Sequence, residues 1–143
     1  MSAIKKVAVI GSGVMGSGIA AQLTNAGLPV VLLDIKVEGK DLAADAVAKM
    51  LKTDPAPFMH PSNAQLITTG TIDDDIDLIK DCDWIIEVVL EKLEVKHATY
   101  EKIQKIRKKG SIVSSNTSTI PLHKLVEGQP EDFARDFMIT HFF

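Results

Sequence analysis

Residues 4–16 read Ile4-Lys5-Lys6-Val7-Ala8-Val9-Ile10-Gly11-Ser12-Gly13-Val14-Met15-Gly16. The β-branched run that stops at a glycine cluster predicts a buried strand from Ile4 to Ile10, since no helical period runs through it. Beyond the glycines, Met15, Ile19 and Leu23 recur every fourth residue with Ala20 and Ala26 beside them. Gly27 stands where a helix would need a left-handed cap. Strand, glycine turn and helix therefore follow one another without an intervening linker.

The alternation continues outward from that unit. Pro29 to Asp34 reads as a second strand, with proline tolerable at its first position. Leu42, Ala46, Val47, Met50 and Leu51 form a helical stripe that breaks at Asp54-Pro55-Ala56-Pro57, because proline cannot continue the backbone ladder. A loop from Thr53 to Asn63, a weak strand at Leu66 to Thr68 and a short helix at Asp74 to Lys80 precede a strong strand, Trp84 to Leu90. Leu93 to Lys109 reads as a helix with a basic last turn before Gly110. Ser111 to Ser114 and Phe137 to Phe143 read as the last strands, with a short helix from Pro121 to Glu127 between them. Strands alternating with helices predict parallel pairing and right-handed crossovers. The expected fold is α/β, a doubly wound, Rossmann-type, mainly parallel sheet with helices on both faces, formed as one domain over residues 1–143.

Composition narrows the partners. The chain has 143 residues, is 45% hydrophobic and 24% charged, and carries a formal net charge of −3, which excludes collagen-like and disordered classes and offers no general field for a nucleic acid. Apolar runs such as Val7 to Ile10 and Val30 to Leu33 are far shorter than the roughly 20 residues that span a bilayer. No membrane span or secretory leader is expected. The single cysteine, Cys82, cannot form an internal disulfide, which fits a reducing, cytoplasmic compartment.

The glycine stretch fits GxGxxG in the context that gives the pattern meaning. Gly11 suits the tight turn, Gly13 lets a pyrophosphate approach the backbone, and Gly16 allows close helix–strand packing, with Val14 and Met15 at the helix start. A second anchor is Asp34, roughly 20 residues farther on at the end of the second strand, where a carboxylate accepts hydrogen bonds from an adenosine ribose. The same charge repels a 2′-phosphate, which favours NAD over NADP, although Lys36 nearby softens the preference. The fingerprint alone also admits a flavin.

The chemistry has to come from the carboxyl ends of the later strands, where ligands of open α/β sheets sit. Three polar segments fall there: Glu87 to Lys96, Ser114 to Thr119, and His141 to Phe143. Nearly the whole chain resembles the amino-terminal domain of the L-3-hydroxyacyl-CoA dehydrogenase family. The likeness rests on the glycine stretch through Ala20, on Glu91-Lys92-Leu93-Glu94-Val95-Lys96, on Ser115-Asn116-Thr117-Ser118 and on His141-Phe142-Phe143. The resemblance implies oxidation of an L-3-hydroxyacyl-CoA thioester to the 3-ketoacyl thioester with NAD as hydride acceptor. It makes His141 the general base and Ser118 a hydrogen-bond partner of the reacting oxygen. It also places Asn116, Glu91 and Lys96 around the nicotinamide ribose and Val88 along the cofactor path.

In that family an Asn-Pro and then a glutamate that orients the histidine follow His-Phe-Phe, and a separate helical domain closes over the acyl-CoA and supplies most of a homodimer contact. The chain stops at Phe143, so it is expected to be a piece of a longer protein, inactive alone. The Asp34 to Leu66 region is also shorter than the long helical pair the family often carries. Two rival readings are a freestanding NAD(H)-binding module without chemistry and a β-hydroxyacid dehydrogenase domain with the same glycine loop.

Other polar residues have plainer expectations. His60 reads as a surface loop residue, and His97 and His123 as packed or half-buried helix histidines. Asp73-Asp74-Asp75 is expected to complement a helix dipole, since consecutive carboxylates do not converge easily on one ion, and no metal site is expected. The Lys105 to Lys109 basic cluster reads as a solvated helix end.

Overall fold

The computed structural model describes residues 3–143. Six strands form one sheet: β1 (Val7–Ile10), β2 (Val30–Asp34), β3 (Ile67–Thr71), β4 (Trp84–Glu87), β5 (Ile112–Ser115) and β6 (Phe137–Ile139). Their spatial order is β3-β2-β1-β4-β5-β6 and every pairing is parallel. The connections reverse direction between β1 and β4, which opens a crevice at the carboxyl edge of the sheet. β1 is fully buried, as a central strand covered on both faces must be.

Helices α1 (Val14–Asn25) and α2 (Leu42–Leu51) lie on one face, where Val7, Val9, Leu32 and Ile86 pack with Ile19, Ala20 and Ala43. The opposite face buries Ala8, Ile10, Leu33, Ile85 and Val113 against α4 (Leu93–Ile106), through Tyr100 and Ile103, and against Phe133 and Phe137. The doubly wound expectation holds. Cys82 is buried in the same layer, and burial pushes its thiol up to about 12.

Several boundaries differ for local reasons. The first strand begins at Val7, since the Lys5 and Lys6 amides donate to the Asp83 carboxylate, at 2.7 and 3.2 Å, and stay out of the ladder. The fourth ends at Glu87 because the Val89 amide turns back to the Glu87 carboxylate at 3.0 Å. The last stops at Ile139; one further ladder bond, Thr140 amide to Ser115 carbonyl, precedes a segment held by Asn116. β3 is longer than its sequence suggested, in register with all five residues of β2.

The predicted Asp74–Lys80 helix is α3 (Ile72–Asp75), capped by the Thr71 hydroxyl, followed by a 3₁₀ segment, Ile76–Asp81. A further 3₁₀ segment, Pro61–Leu66, continues from the Thr53–Asn63 loop, which Asn25 pins through Pro57 and Met59. The Pro121–Glu127 helix shortens to α5 (Leu122–Leu125), and α6 (Glu131–Arg135), behind Pro130, has no counterpart in the sequence reading.

The basic helix end is not wholly solvated. The Arg107 side chain is only 4% exposed, pairs with Asp136 at 3.0 Å, donates to the Ser111 carbonyl and lies over the Phe133 ring. His97 is half-buried with Nε2 2.9 Å from the Lys124 carbonyl, while His60 and His123 are exposed. Among the described residues no helix is long and apolar enough to cross a membrane, and no group of three or more His, Cys, Asp or Glu side chains could hold a metal ion.

Candidate cofactor site

The glycine loop divides its work among three positions. Gly11 has φ of +111°, and a Cβ there would meet the Val88 carbonyl oxygen at 2.3 Å. A Cβ at Gly16 would lie 1.8 Å from the Gly11 carbonyl oxygen. Both glycines are thus required by close backbone packing. Gly13 differs: it caps α1 with an ordinary φ of −64°, and a Cβ there would meet nothing within 4 Å. No side chain caps α1. An open glycine at a helix amino terminus, beside backbone that cannot move away, is the seat a pyrophosphate requires.

Asp34 closes β2 beside that loop. The Ser12 amide and hydroxyl donate to its Oδ2 at 2.8 and 2.5 Å, and the Ile35 amide donates to Oδ1 at 2.7 Å. These bonds fix the carboxylate next to the glycine turn. Lys36, the residue that could favour a 2′-phosphate, is paired instead with Asp74 at 2.8 Å, and this hydrogen bond raises its pKa above the ordinary lysine value. Next to Asp34, Ile35 borders a cleft of about 300 Å³ whose other walls include Val95, Ala98 and Thr99 of α4. Ile72, Asp73, Glu94 and Lys102 complete its lining.

Across the crevice a second cleft of about 300 Å³ gathers Met15, Val88, Glu91, Asn116, Ser118 and His141, with Lys96 in its wall. Seven positions singled out from sequence thus meet in one place, although they come from α1, the turn after β4, α4 and the segments after β5 and β6. Met15, also read as part of the helix stripe, faces this cleft and is 37% exposed. Val14, 87% exposed, borders a different hollow of about 510 Å³ between α1 and α2, together with Gly13.

His141 is exposed, with Nδ1 3.2 Å from the Asn116 carbonyl oxygen. A carbonyl can only accept, so Nδ1 carries the hydrogen and Nε2 is left as the basic nitrogen. Asn116 also fixes the neighbouring backbone, its Oδ1 accepting from the Phe142 amide at 2.6 Å. Glu91 accepts from the Thr117 hydroxyl at 2.6 Å, the Ser118 amide at 3.0 Å and the Ser118 hydroxyl at 3.3 Å. Partial burial opposes its ionisation, but the Thr117 hydroxyl, the Ser118 amide and Lys96 outweigh it and hold the carboxyl below the ordinary glutamate value.

Lys96 does not stand free at the mouth. Its side chain is 2% exposed, with the ammonium 2.7 Å from Glu87 and 3.4 Å from Glu91. Glu87, Tyr100, Ser115 and Thr117 are the participants the sequence reading did not assign. A carboxylate inside the apolar strand Trp84-Ile85-Ile86-Glu87 was the available signal for the first.

Residues 6–143 match the family described as "3-hydroxyacyl-CoA dehydrogenase, NAD binding domain". The chain belongs to this family. A probable 3-hydroxyacyl-CoA dehydrogenase of Deinococcus radiodurans is 51% identical over 98% of the chain, and a putative fatty acid oxidation complex trifunctional enzyme of Rickettsia felis is 48% identical over the same share. The chain spans 42% and 20% of their lengths. Among solved structures, 3-hydroxybutyryl-CoA dehydrogenase of Escherichia coli K12 superposes with a TM-score of 0.83 at 25% identity, over 99% of this chain and 30% of that one. The (S)-3-hydroxybutyryl-CoA dehydrogenase of Ralstonia eutropha gives 0.79 at 27% identity, over 99% of this chain and 50% of that one.

NAD is accordingly the dinucleotide of this domain, and the flavin alternative falls away. The residues present fit it: an open Gly13, a fixed Asp34 and, across the crevice, a cleft that carries Glu91, Asn116, Ser118 and His141.

Proposed function

We propose that the parent protein oxidises L-3-hydroxyacyl-CoA thioesters to 3-ketoacyl thioesters. The juxtaposition of His141 with Asn116 and Ser118 around one cleft at the carboxyl edge of the sheet carries this reading. In it, Gly11, Gly13, Val14 and Gly16 seat the pyrophosphate and Asp34 binds the adenosine ribose. Met15, Val88, Glu91, Lys96 and Asn116 surround the nicotinamide end.

Bound NAD supplies the hydride acceptor. His141 takes the substrate hydroxyl proton at Nε2, because its Nδ1 hydrogen is engaged by the Asn116 carbonyl. Ser118 holds the reacting oxygen, and its backbone is kept in place by Glu91.

The parent carries a helical domain beyond residues 1–143, closing over the acyl-CoA and making a cytoplasmic homodimer. The length of the relatives supports a longer parent chain, since residues 1–143 span less than half of them. The 143-residue chain alone binds NAD but turns over little. In the longer protein, His141→Gln is expected to lower kcat for L-3-hydroxybutyryl-CoA by about 10³-fold with NAD still bound. Undiminished kcat would remove His141 from the chemistry.

A further inference from the structure

β4 ends on a carboxylate that no water reaches. Glu87 is 0% exposed and is paired on both sides, to Ile10 of β1 and Ser115 of β5. A charge in such a place persists only when its neighbours compensate it fully. Four donors do so: Lys96 Nζ at 2.7 Å and the Val89 amide at 3.0 Å on Oε2, the Tyr100 hydroxyl at 2.5 Å and the Ser115 hydroxyl at 2.7 Å on Oε1.

Each donor belongs to an element that also supplies the nicotinamide-side cleft. Val89 lies in the turn between Val88 and Glu91, Lys96 and Tyr100 are on α4, and Ser115 immediately precedes Asn116. The bonds also close on themselves. From Glu87 the path runs through Lys96 to Glu91, from Glu91 to the Thr117 hydroxyl, from the Thr117 amide to the Ser115 hydroxyl at 3.2 Å, and back to Glu87. The glycine loop and Asp34 take no part in it.

We infer that Glu87 is a positioning residue: by closing this ring with Lys96, Glu91, Thr117 and Ser115 it fixes the geometry of the nicotinamide-side cleft without touching cofactor or substrate. The inference rests on the reading of that cleft as the nicotinamide end. Because the ring is confined to the β4–β5 side, its loss weakens the grip on the nicotinamide half of NAD and leaves the adenosine half unaffected. A role in core stability alone would have no such selectivity.

The test is calorimetric titration of the chain with NAD and with AMP, which carries only the adenosine half. Glu87→Gln keeps the shape of the side chain and removes its charge. It is expected to weaken NAD about tenfold, with AMP unchanged. Ser115→Ala cuts the ring without stranding a charge, and so serves where Glu87→Gln fails to fold. It is expected to weaken NAD about threefold, again with AMP unchanged. Equal weakening of both ligands, or of neither, in variants with native circular dichroism would overturn the inference. Wild-type chain binding NAD no more tightly than AMP would instead overturn the underlying reading of the cleft, and the inference with it.

Discussion

The β1–β3 half of the sheet builds its side of the crevice mostly from backbone, while the β4–β6 half builds its side from side chains. On the first side, two glycines are packed against carbonyl oxygens, a third stands open, and one carboxylate is held by Ser12. On the second, Glu91, Asn116, Ser118 and His141 are arranged by one another and by a buried ionic ring. Backbone sites depend on whether a Cβ fits. Side-chain sites depend on charge and on every partner being present.

The largest effects should come from the backbone side. Gly16→Ala places a methyl group where the Gly11 carbonyl oxygen lies, 1.8 Å from the ideal Cβ, and should cost about 3 kcal/mol of stability by overpacking. NAD titration of that variant should give no measurable heat. Gly13→Ala sharpens the contrast: with nothing within 4 Å, its thermal stability should change by less than about 1 kcal/mol, while NAD binds about tenfold more weakly. Wild-type affinity in Gly13→Ala would show that the open face is not the pyrophosphate seat.

A smaller effect should mark the side-chain half. Arg135, and behind it Arg107, holds the Asp136 carboxyl below its ordinary value of 3.8 against the opposing effect of burial. Glu91 lies below its ordinary 4.5, and Asp83, bonded by Lys108 and the Lys5 amide, is also lowered. Carboxyls depressed in the folded state contribute stability in full above their unfolded values and lose it as pH falls through the folded ones. The melting temperature should therefore hold from about pH 7 to about pH 5 and decline below. Asp136→Asn should lower the plateau and make the acid decline shallower. An unchanged acid limb would mean that this ion pair contributes nothing to the fold.

The same division explains what was legible in the sequence. Glycine spacing and β-branched runs act locally, so the turn, α1, Asp34 and the doubly wound order could be read from the chain. Ser115–Ser118 and His141 became legible through a family pattern, since nothing in their spacing brings β5 and β6 together. Glu87 and Tyr100 were hidden because a buried charge declares itself only when its partners, 9 and 13 residues away along a turn and a helix, are seen to converge. Arg107 was hidden for the same reason: a basic helix end reads as solvated until Asp136 is found beneath it. The edges of β4 and β6 were overextended because apolar sequence continues past the last ladder bond, while side chains take over the amides.

The central claim is that a fixed Asp34 and an open glycine loop select NAD. Calorimetric titration of the chain with NAD and with NADP, repeated on Asp34→Ala, tests it most directly. The account predicts that NAD binds at least about tenfold more tightly than NADP in the wild type, and that the preference collapses in the variant. Equal affinity for the two in the wild type, or a preference that survives the loss of Asp34, would contradict it.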